Sequence, residues 1–206
     1  MPTPEDAPSA VISQKILASA LDSAGIEGWT QSVFEKACLA NDVTPSEVAY
    51  AFPDGIRSLV PAYFQGLRGE VRSGLEQIPL SEMRVRDKIS TGVELWLNEM
   101  SKSYPASVKA LDWATIRPTG PCSMPEIIWG VADTLWTGIG DTSFGFTYYS
   151  KRTTLSAVIT STLAVWRNTG GDEAEWKPFL ARRIEDVMTF EKFKAKVKLP
   201  EIALPF

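Results

Sequence analysis

Apolar residues recur at three- and four-residue spacing along nearly the whole 206-residue chain. In the first segment Ile12, Ile16 and Ala20 mark one such face, and later segments repeat the spacing until about Thr189. This is the period of an α-helix with one buried face. No segment keeps the two-residue alternation of a half-buried β-strand. The sequence therefore predicts an all-α fold.

Capping residues, glycines and prolines divide this pattern into nine predicted helices. Thr30 is placed to cap the second helix, and Pro53 should open a longer fourth helix. Ser81 should cap the fifth, while Ser123 and Glu126 have the spacing of a capping box at the start of the seventh. The last two helices are expected over residues 146–166 and 173–189.

The helices predicted within residues 9–55 are spaced like a helix-turn-helix, and this layout resembles the N-terminal domain of TetR-type repressors. In that architecture a larger C-terminal helical domain holds a ligand pocket, and its last long helices pack against a second subunit. The resemblance implies a homodimer. The chain then divides into a disordered lead, residues 1–8; a helix-turn-helix-like domain, residues 9–65; a ligand and dimerisation domain, residues 66–189; and a basic amphipathic C-terminal segment, residues 190–206.

The helix-turn-helix-like domain carries the wrong charge for binding nucleic acid. Residues 1–65 hold three basic and eight acidic side chains, a net charge of −5, whereas the other 141 residues sum to +1. Residues 37–56, which include the would-be recognition helix, contain no basic residue. Proteins that bind DNA bring Lys and Arg to the phosphates. We therefore expect no nucleic-acid binding.

The composition also excludes several classes of enzyme. The chain contains no histidine, so Ser-His-Asp sites, Cys-His sites and His-based zinc sites are absent. It has no Walker loop, no Gly-x-Gly-x-x-Gly after a strand and no Cys-x-x-Cys pair. A site built from carboxylates alone remains open, but no pattern indicates one. We predict a non-catalytic protein without metal or cofactor.

Two further features bear on location. No apolar run approaches the roughly 20 residues that span a bilayer. The acidic, Arg-free start, residues 1–10, is typical of neither a signal peptide nor a transit peptide.

Aromatic residues crowd into residues 129–149. Lipid pockets are apolar and concave with few polar groups, and aromatic side chains supply much of their surface. Such density exceeds what two helices need for mutual packing, so it favours a pocket or a contact surface. The alternative is a large aromatic core between helices seven and eight. The cluster consists of Trp129, Trp136, Phe144, Phe146, Tyr148 and Tyr149.

The stretch from residue 140 onward resembles the ubiquinone-biosynthesis accessory proteins of the ninth Coq type. That family carries Gly-Asp-x-Ser, then Asp-Phe-Asn-Trp-Tyr, then a Thr/Ser-Lys/Arg-Arg start to a long helix. This chain departs from the pattern at Gly145, Thr147 and Tyr148. The matching positions are Gly140, Asp141, Ser143, Phe146, Tyr149, Ser150, Lys151, Arg152 and Leu155.

The resemblance extends over most of the chain. It implies a TetR-type fold that has lost DNA binding and uses its ligand pocket for an isoprenoid quinone-like molecule or a phospholipid. It also implies support of the di-iron hydroxylase that acts late in the pathway. Together with the aromatic cluster it predicts a lipid site at Trp129, Leu135, Trp136, Phe146, Tyr148, Leu155 and Ile159. It predicts a partner surface at Asp133, Asp141, Tyr148, Tyr149 and Arg152.

Lys151 and Arg152 open the predicted eighth helix, where the helix dipole disfavours cations. Asp141 or Asp133 could pair with one of them. Such a pair would either lock the start of the helix or anchor a lipid headgroup or a partner, and the sequence leaves both interpretations open.

The C-terminal segment has an apolar face and a basic face. Phe190, Phe193 and Val197 fall at helical spacing. This pattern suits either a solvated last helix that packs on the body or an amphipathic segment on anionic lipid, and the resemblance favours membrane contact. The lysines of the basic face are Lys192, Lys194, Lys196 and Lys198.

We therefore predict a dimeric, non-catalytic lipid-binding accessory protein of ubiquinone biosynthesis, peripheral to a membrane. We expect it at the cytoplasmic face of the inner membrane in a bacterium, or on the matrix side in a mitochondrion. The alternative is a TetR-type transcription regulator with a hydrophobic effector. An enzyme that modifies a fatty acid or quinone would need a redox cofactor, for which the sequence offers no motif.

Overall fold

The computed structural model describes residues 8–117 and 122–196, with the side chains of residues 9–117 and 122–190. Within these residues all regular structure is helical, so the predicted all-α class is confirmed for them. The helices are α1 (Pro8–Glu27), α2 (Gln31–Ala40), α3 (Pro45–Ala51), α4 (Ile56–Glu76), α5 (Val85–Lys102), α6 (Tyr104–Thr115), α7 (Met124–Gly138), α8 (Gly145–Asn168) and α9 (Glu173–Lys196), with one 3₁₀ turn at Leu80–Glu82.

The first three helices share a hydrophobic core with the rest of the described chain. The indole N–H of Trp29, which is buried after α1, donates a 2.9 Å hydrogen bond to the carbonyl oxygen of Ala106 on α6. The boundary predicted at residue 65 falls inside α4, which is one uninterrupted helix. Of the predicted lead, only Pro8 lies among the described residues, and it begins α1.

The predicted helix starts are partly right. The backbone N–H of Val33 donates to Thr30 Oγ1 at 3.3 Å, which confirms that cap. Pro53 does not open α4: the chain first turns at Gly55, whose φ of 56° breaks the helix, and α4 begins at Ile56. Ser81 is not a cap either, because it lies in the 3₁₀ turn and α5 follows Arg84.

The capping box predicted at α7 does not form. Ser123 is the N-cap, but its side chain makes no capping hydrogen bond. The carboxylate of Glu126 accepts the backbone N–H of Cys122, one residue earlier than a capping box requires. Cys122 has a φ of 67°, and this left-handed conformation belongs to the turn that presents its N–H to the helix.

The packing of the last three helices brings the starts of α5 and α8 close to the C-terminal part of α9. Short connections reverse the chain between α7 and α8 and again between α8 and α9, where Gly170 and Gly171 adopt positive φ. The start of α8 therefore lies beside the end of α9, and the start of α5 lies there too. The prediction that the ninth helix ends near residue 189 is wrong, because α9 continues to Lys196.

Candidate functional site

An apolar cavity of about 410 Å³ opens at this end of the molecule. Its volume lies toward the lower end of the roughly 300–1,000 Å³ range of ligand pockets. Four helices contribute side chains, and apolar ones predominate. The lining residues are Val85, Arg86 and Ile89 on α5; Trp136 on α7; Phe146, Thr147, Ser150, Lys151, Thr154, Leu155 and Val158 on α8; and Ile184, Val187 and Met188 on α9.

The cavity runs from an exposed rim to a buried floor. Phe146 is 86% exposed and Val85 is 55% exposed, yet both line the cavity. Ile89, Leu155 and Val158 are buried in the core beneath them. The apolar lining is therefore continuous with apolar surface at the end of the molecule.

Two cations stand on the wall of this cavity. The ammonium of Lys151 lies 2.5 Å from Asp141 Oδ1 and 4.9 Å from the centre of the Trp136 ring. The guanidinium of Arg86 lies 3.3 Å from Glu185 on α9. Among the lining residues these are the only charged ones.

Behind the cavity, Arg152 joins α7 to α8 through a charge network in which Arg152 and Asp141 are buried and Asp133 is partly exposed. The side chain of Arg152 is 3% exposed. Its Nε donates to Asp133 Oδ1 at 2.6 Å, and its Nη1 lies 3.4 Å from Asp141 Oδ2. The guanidinium carbon also stands 3.5 Å above the Tyr148 ring. The sequence left open whether Lys151 and Arg152 lock the helix or anchor a ligand or partner, and both interpretations assume an ion pair with Asp133 or Asp141. The structure shows Arg152 in contact with both carboxylates.

The network shifts the pKa values of its members. Burial alone would raise the pKa of Asp141, but hydrogen bonds from Lys151 and Ser143 outweigh it and hold that pKa below its ordinary value. Burial and the hydrogen bond that its hydroxyl donates to Asp133 raise the pKa of Tyr148. The network therefore keeps Asp141 ionised and Tyr148 protonated at neutral pH.

An aromatic surface lies on the other side of Arg152, formed by Trp129, Tyr148 and Tyr149. The rings of Tyr148 and Tyr149 meet edge to face with centroids 5.1 Å apart, and the Trp129 ring lies 6.1 Å from Tyr149. Tyr149 is 60% exposed. Tyr149 makes this aromatic surface accessible to solvent, and the contacts of Tyr148 with Arg152 and Asp133 hold it in place.

The structure thus divides the residues predicted for a lipid site. Trp136, Phe146 and Leu155 line the cavity. Trp129 and Tyr148 belong to the aromatic surface instead. Leu135 and Ile159 are fully buried in the core and do not line the cavity.

The residues predicted for a partner surface come together more closely. Asp133, Tyr148 and Arg152 are in direct contact, and Tyr149 packs on Tyr148. Two of these residues are not available at the surface, because the side chains of Arg152 and Asp141 are only 3% and 7% exposed.

Of the predicted membrane-contact residues, the described side chains include only Phe190, which is 59% exposed near the end of α9. The backbone of α9 extends to Lys196, but the side chains of Lys192, Phe193, Lys194 and Lys196 lie outside the described set. Val197 and Lys198 lie outside the described residues altogether.

Sequence reasoning missed the contributions of α5 and α9 to the cavity. The helical spacing of apolar residues includes Val85, Ile89, Ile184 and Val187, but this spacing predicts burial and not a ligand site. Nothing in the local sequence shows that the start of α5 approaches the start of α8. No sequence pattern marked Arg86 as a residue of a binding site.

Neither described cysteine has the character of an activated thiol. Burial raises the pKa of Cys122 to about 12 and also raises that of Cys38, so both are protonated at neutral pH. Over residues 8–117 and 122–196, no group of three or more Cys, Asp or Glu residues is arranged to hold a metal ion. In the same ranges no helix is both long and apolar enough to cross a membrane.

Comparison with known proteins points to one family. The COQ9 family model matches residues 122–191. Over 191 residues the chain is 24% identical to the probable ubiquinone biosynthesis protein coq9, mitochondrial, of Dictyostelium discoideum. That alignment covers 89% of this chain and 62% of the relative, so the chain spans less than two thirds of the relative's length.

The matched segment coincides with the site. Residues 122–191 include α7, α8 and most of α9, and with them the Arg152 network, the aromatic surface and every cavity-lining residue except the three from α5. The chain is therefore similar to COQ9 proteins in the part that forms the cavity and the aromatic surface beside it.

Proposed function

We propose that this protein is a non-catalytic accessory protein of ubiquinone biosynthesis that binds an isoprenoid or a phospholipid and presents quinone intermediates to the pathway's di-iron hydroxylase. The observation that carries the proposal is the apolar cavity, which lies mainly within the segment similar to COQ9 proteins. The proposal includes a TetR-like arrangement of the helices without DNA binding, and a homodimer.

Capture of the lipid follows from the cavity's lining. Burying apolar surface contributes about 0.8 kcal/mol per methylene, so a tail segment of ten methylenes gains roughly 8 kcal/mol before the cost of ordering it. The exposed rim residues Val85 and Phe146 extend the apolar lining outward. A tail could enter along this path without crossing a polar barrier.

Presentation to the hydroxylase is assigned to the aromatic surface. Trp, Tyr and Arg are the residues most enriched at the energetic centre of protein interfaces. Trp129, Tyr148 and Tyr149 supply rigid contact area, and Arg152 fixes Tyr148 from behind. The cavity and the aromatic surface lie on neighbouring faces of α8, so one helix links the two activities.

The protein works, in this proposal, at a membrane surface: the inner membrane, on the cytoplasmic side in a bacterium or the matrix side in a mitochondrion. The exposed side chains of Phe144, Phe146 and Phe190 support this placement, because all three belong to the end of the molecule where the cavity opens.

Lipid binding is tested by native mass spectrometry of the purified protein, followed by organic extraction. We expect a bound isoprenoid or phospholipid. Thr154→Phe fills the cavity and should reduce the lipid-bound fraction several-fold, whereas Thr160→Phe, at an exposed position on the same helix, should not. Equal lipid occupancy in the two folded variants would place the lipid elsewhere.

Partner binding is tested by co-purification with the pathway's hydroxylase. Tyr149→Asp places a charge on the aromatic surface and should abolish co-purification while lipid binding persists. Tyr50→Asp is the matched control, because Tyr50 is 74% exposed on α3. If both variants retain the hydroxylase, the aromatic surface is not the docking site.

A further inference from the structure

The charge of the cavity wall is one-sided. Arg86 and Lys151 line it, and no carboxylate does. Their acidic partners lie outside the lining: Asp141 lies behind Lys151, and Arg86 pairs with both Glu185 and Asp87 in half-exposed contacts. A ligand seated in this cavity therefore meets two cations at the wall, while the paired carboxylates lie behind or beside them.

Both cations retain hydrogen-bonding capacity. A guanidinium has five N–H donors and an ammonium has three. Within the described residues Arg86 uses one donor in a hydrogen bond, to Glu185, and Lys151 uses one, to Asp141. The hydroxyls of Thr147 and Ser150 line the same wall and can donate as well.

Filling the cavity would change the environment of these charges. The side chains of Arg86 and Lys151 are 38% and 35% exposed, and a bound ligand would cover part of that surface. Both cations are ion-paired, but their remaining N–H donors would lose hydrogen bonds to water, and leaving them without a partner is unfavourable. A ligand with an anionic group at this level removes the penalty, whereas a neutral ligand leaves it in place.

The cavity's volume limits the apolar part of the ligand. At about 410 Å³, it suits one tail better than the two tails of a diacyl lipid. Ile89, Leu155 and Val158 form the buried part of the lining, so we place the tail against them and the headgroup at the cations.

We propose that the cavity selects amphiphiles with a single apolar tail and an anionic headgroup, carboxylate or phosphate, held by Arg86 and Lys151. This inference rests on the proposed lipid-binding function and narrows it to one chemical class. The exposed ion pair of Arg86 with Glu185 is weak, so an entering anion can replace it. Lys151 can bind the anion with its remaining donors and keep its contact with Asp141.

The test compares ligands with the same tail. Palmitate, hexadecyl phosphate and hexadecanol are titrated below their aggregation limits, with geranylgeraniol as a neutral isoprenoid. Binding is followed by calorimetry and by intrinsic tryptophan fluorescence, to which the cavity-lining Trp136 contributes. Charge-assisted hydrogen bonds are strong enough to favour the two anions over hexadecanol by about tenfold or more in Kd. A difference between palmitate and hexadecyl phosphate identifies the preferred headgroup.

Variants separate the headgroup site from general attraction of anions. Arg86→Gln and Lys151→Gln should each reduce the ratio of anion affinity to hexadecanol affinity several-fold, and Lys151→Arg should preserve that ratio. Arg84→Gln removes the same charge two residues away, outside the lining, and should have no effect.

Two outcomes would overturn the inference, and only one of them would also contradict the proposed lipid-binding function. Equal affinity for anionic and neutral ligands would leave a lipid-binding cavity without headgroup selectivity. No binding of any of the four ligands would also contradict the proposed lipid-binding function. Thermal melting of each variant shows that the loss is not caused by unfolding.

Discussion

Arg152 shows how this chain accommodates two adjacent cations near the beginning of a long helix. The expectation that they open the helix is wrong: α8 begins at Gly145, so Lys151 and Arg152 lie about two turns further on, beyond the first turn where the helix dipole acts. The cost to be offset is the burial of Arg152. Asp133 and Asp141 balance Arg152 and Lys151, so the four side chains form a neutral unit. The carboxylates come from α7 and the turn after it, which means that the network also fixes the approach of α7 to α8.

The residue-scale prediction concerns Asp141→Asn. Removing this carboxylate leaves Lys151 and part of the Arg152 charge uncompensated, and should lower the free energy of unfolding at pH 7 by roughly 2 kcal/mol. Because the folded pKa of Asp141 is depressed, its contribution is present above the ordinary carboxyl pKa of about 4. It is lost as the pH falls through the lower folded value.

Urea unfolding at several pH values measures this effect. The difference between the wild type and Asp141→Asn should shrink as the solution is acidified below about pH 4. Asp112→Asn removes a carboxylate from an exposed pair with Arg167 and should change stability by less than about 1 kcal/mol. A difference that stays constant with pH would show that ionised Asp141 does not stabilise the fold.

At the scale of elements, two helical glycines have opposite surroundings. A Cβ added at Gly92 on α5 would stand 2.5 Å from Leu135 Cδ2 on α7, in the core. A Cβ added at Gly66 on α4 would meet nothing within 4 Å. The first glycine permits a close approach of two helices, whereas the second only weakens its own helix.

We therefore expect the same substitution to have opposite signs at these two positions. Gly66→Ala should raise the free energy of unfolding by about 0.5–1 kcal/mol, because alanine loses less backbone entropy in a helix. Gly92→Ala should lower it by about 1–3 kcal/mol through overpacking against Leu135. Chemical denaturation of the two variants under identical conditions measures both changes. If both substitutions raise the free energy of unfolding, α5 and α7 can move apart without an energetic cost.

The helices were more predictable than their ends or their neighbours. Local chemistry sufficed for Thr30, whose cap involves only residues within one turn. It failed at Ser81 and Pro53, since each has the right type for a helix start but lies in a turn that the longer-range path of the chain imposes. The α9 helix passes residue 189 because no residue there stops it.

The site could be predicted only where one or two consecutive helices form it. Trp136, Phe146 and Leu155 were found because α7 and α8 are adjacent in sequence. Arg86 and Met188 come from elements whose approach to α8 depends on the packing of the whole chain. Periodicity also cannot tell which side of α8 a buried or half-buried residue faces, which is why Tyr148 and Ile159 were assigned to a cavity that neither lines.

At the scale of the whole molecule, several exposed aromatic side chains lie at the end where the cavity opens. Phe144 and Phe146 flank Gly145 at the start of α8 and are 89% and 86% exposed. The start of α5 adds cations at the same end, including Arg84 and Arg86. Exposed rings beside cations are typical of surfaces that contact anionic lipid. The TetR-like arrangement and the membrane contact of the basic C-terminal segment stay predictions.

Phe144 gives the most direct test of whether the end of the molecule where the cavity opens contacts a bilayer. Its side chain is exposed and does not line the cavity. Transfer of one aromatic side chain from water contributes about 1.5–3 kcal/mol, so Phe144→Ser should weaken binding to vesicles of phosphatidylcholine and phosphatidylglycerol by roughly tenfold or more. Ile26→Ser is the matched control, since Ile26 is 82% exposed at the end of α1 and should leave vesicle binding unchanged. Flotation of both variants gives the partition coefficients.

Two outcomes would contradict this orientation. Equal binding by the wild type and Phe144→Ser would show that this end of the molecule does not contact the membrane. Equal loss in both variants would show that vesicle binding depends on general surface hydrophobicity.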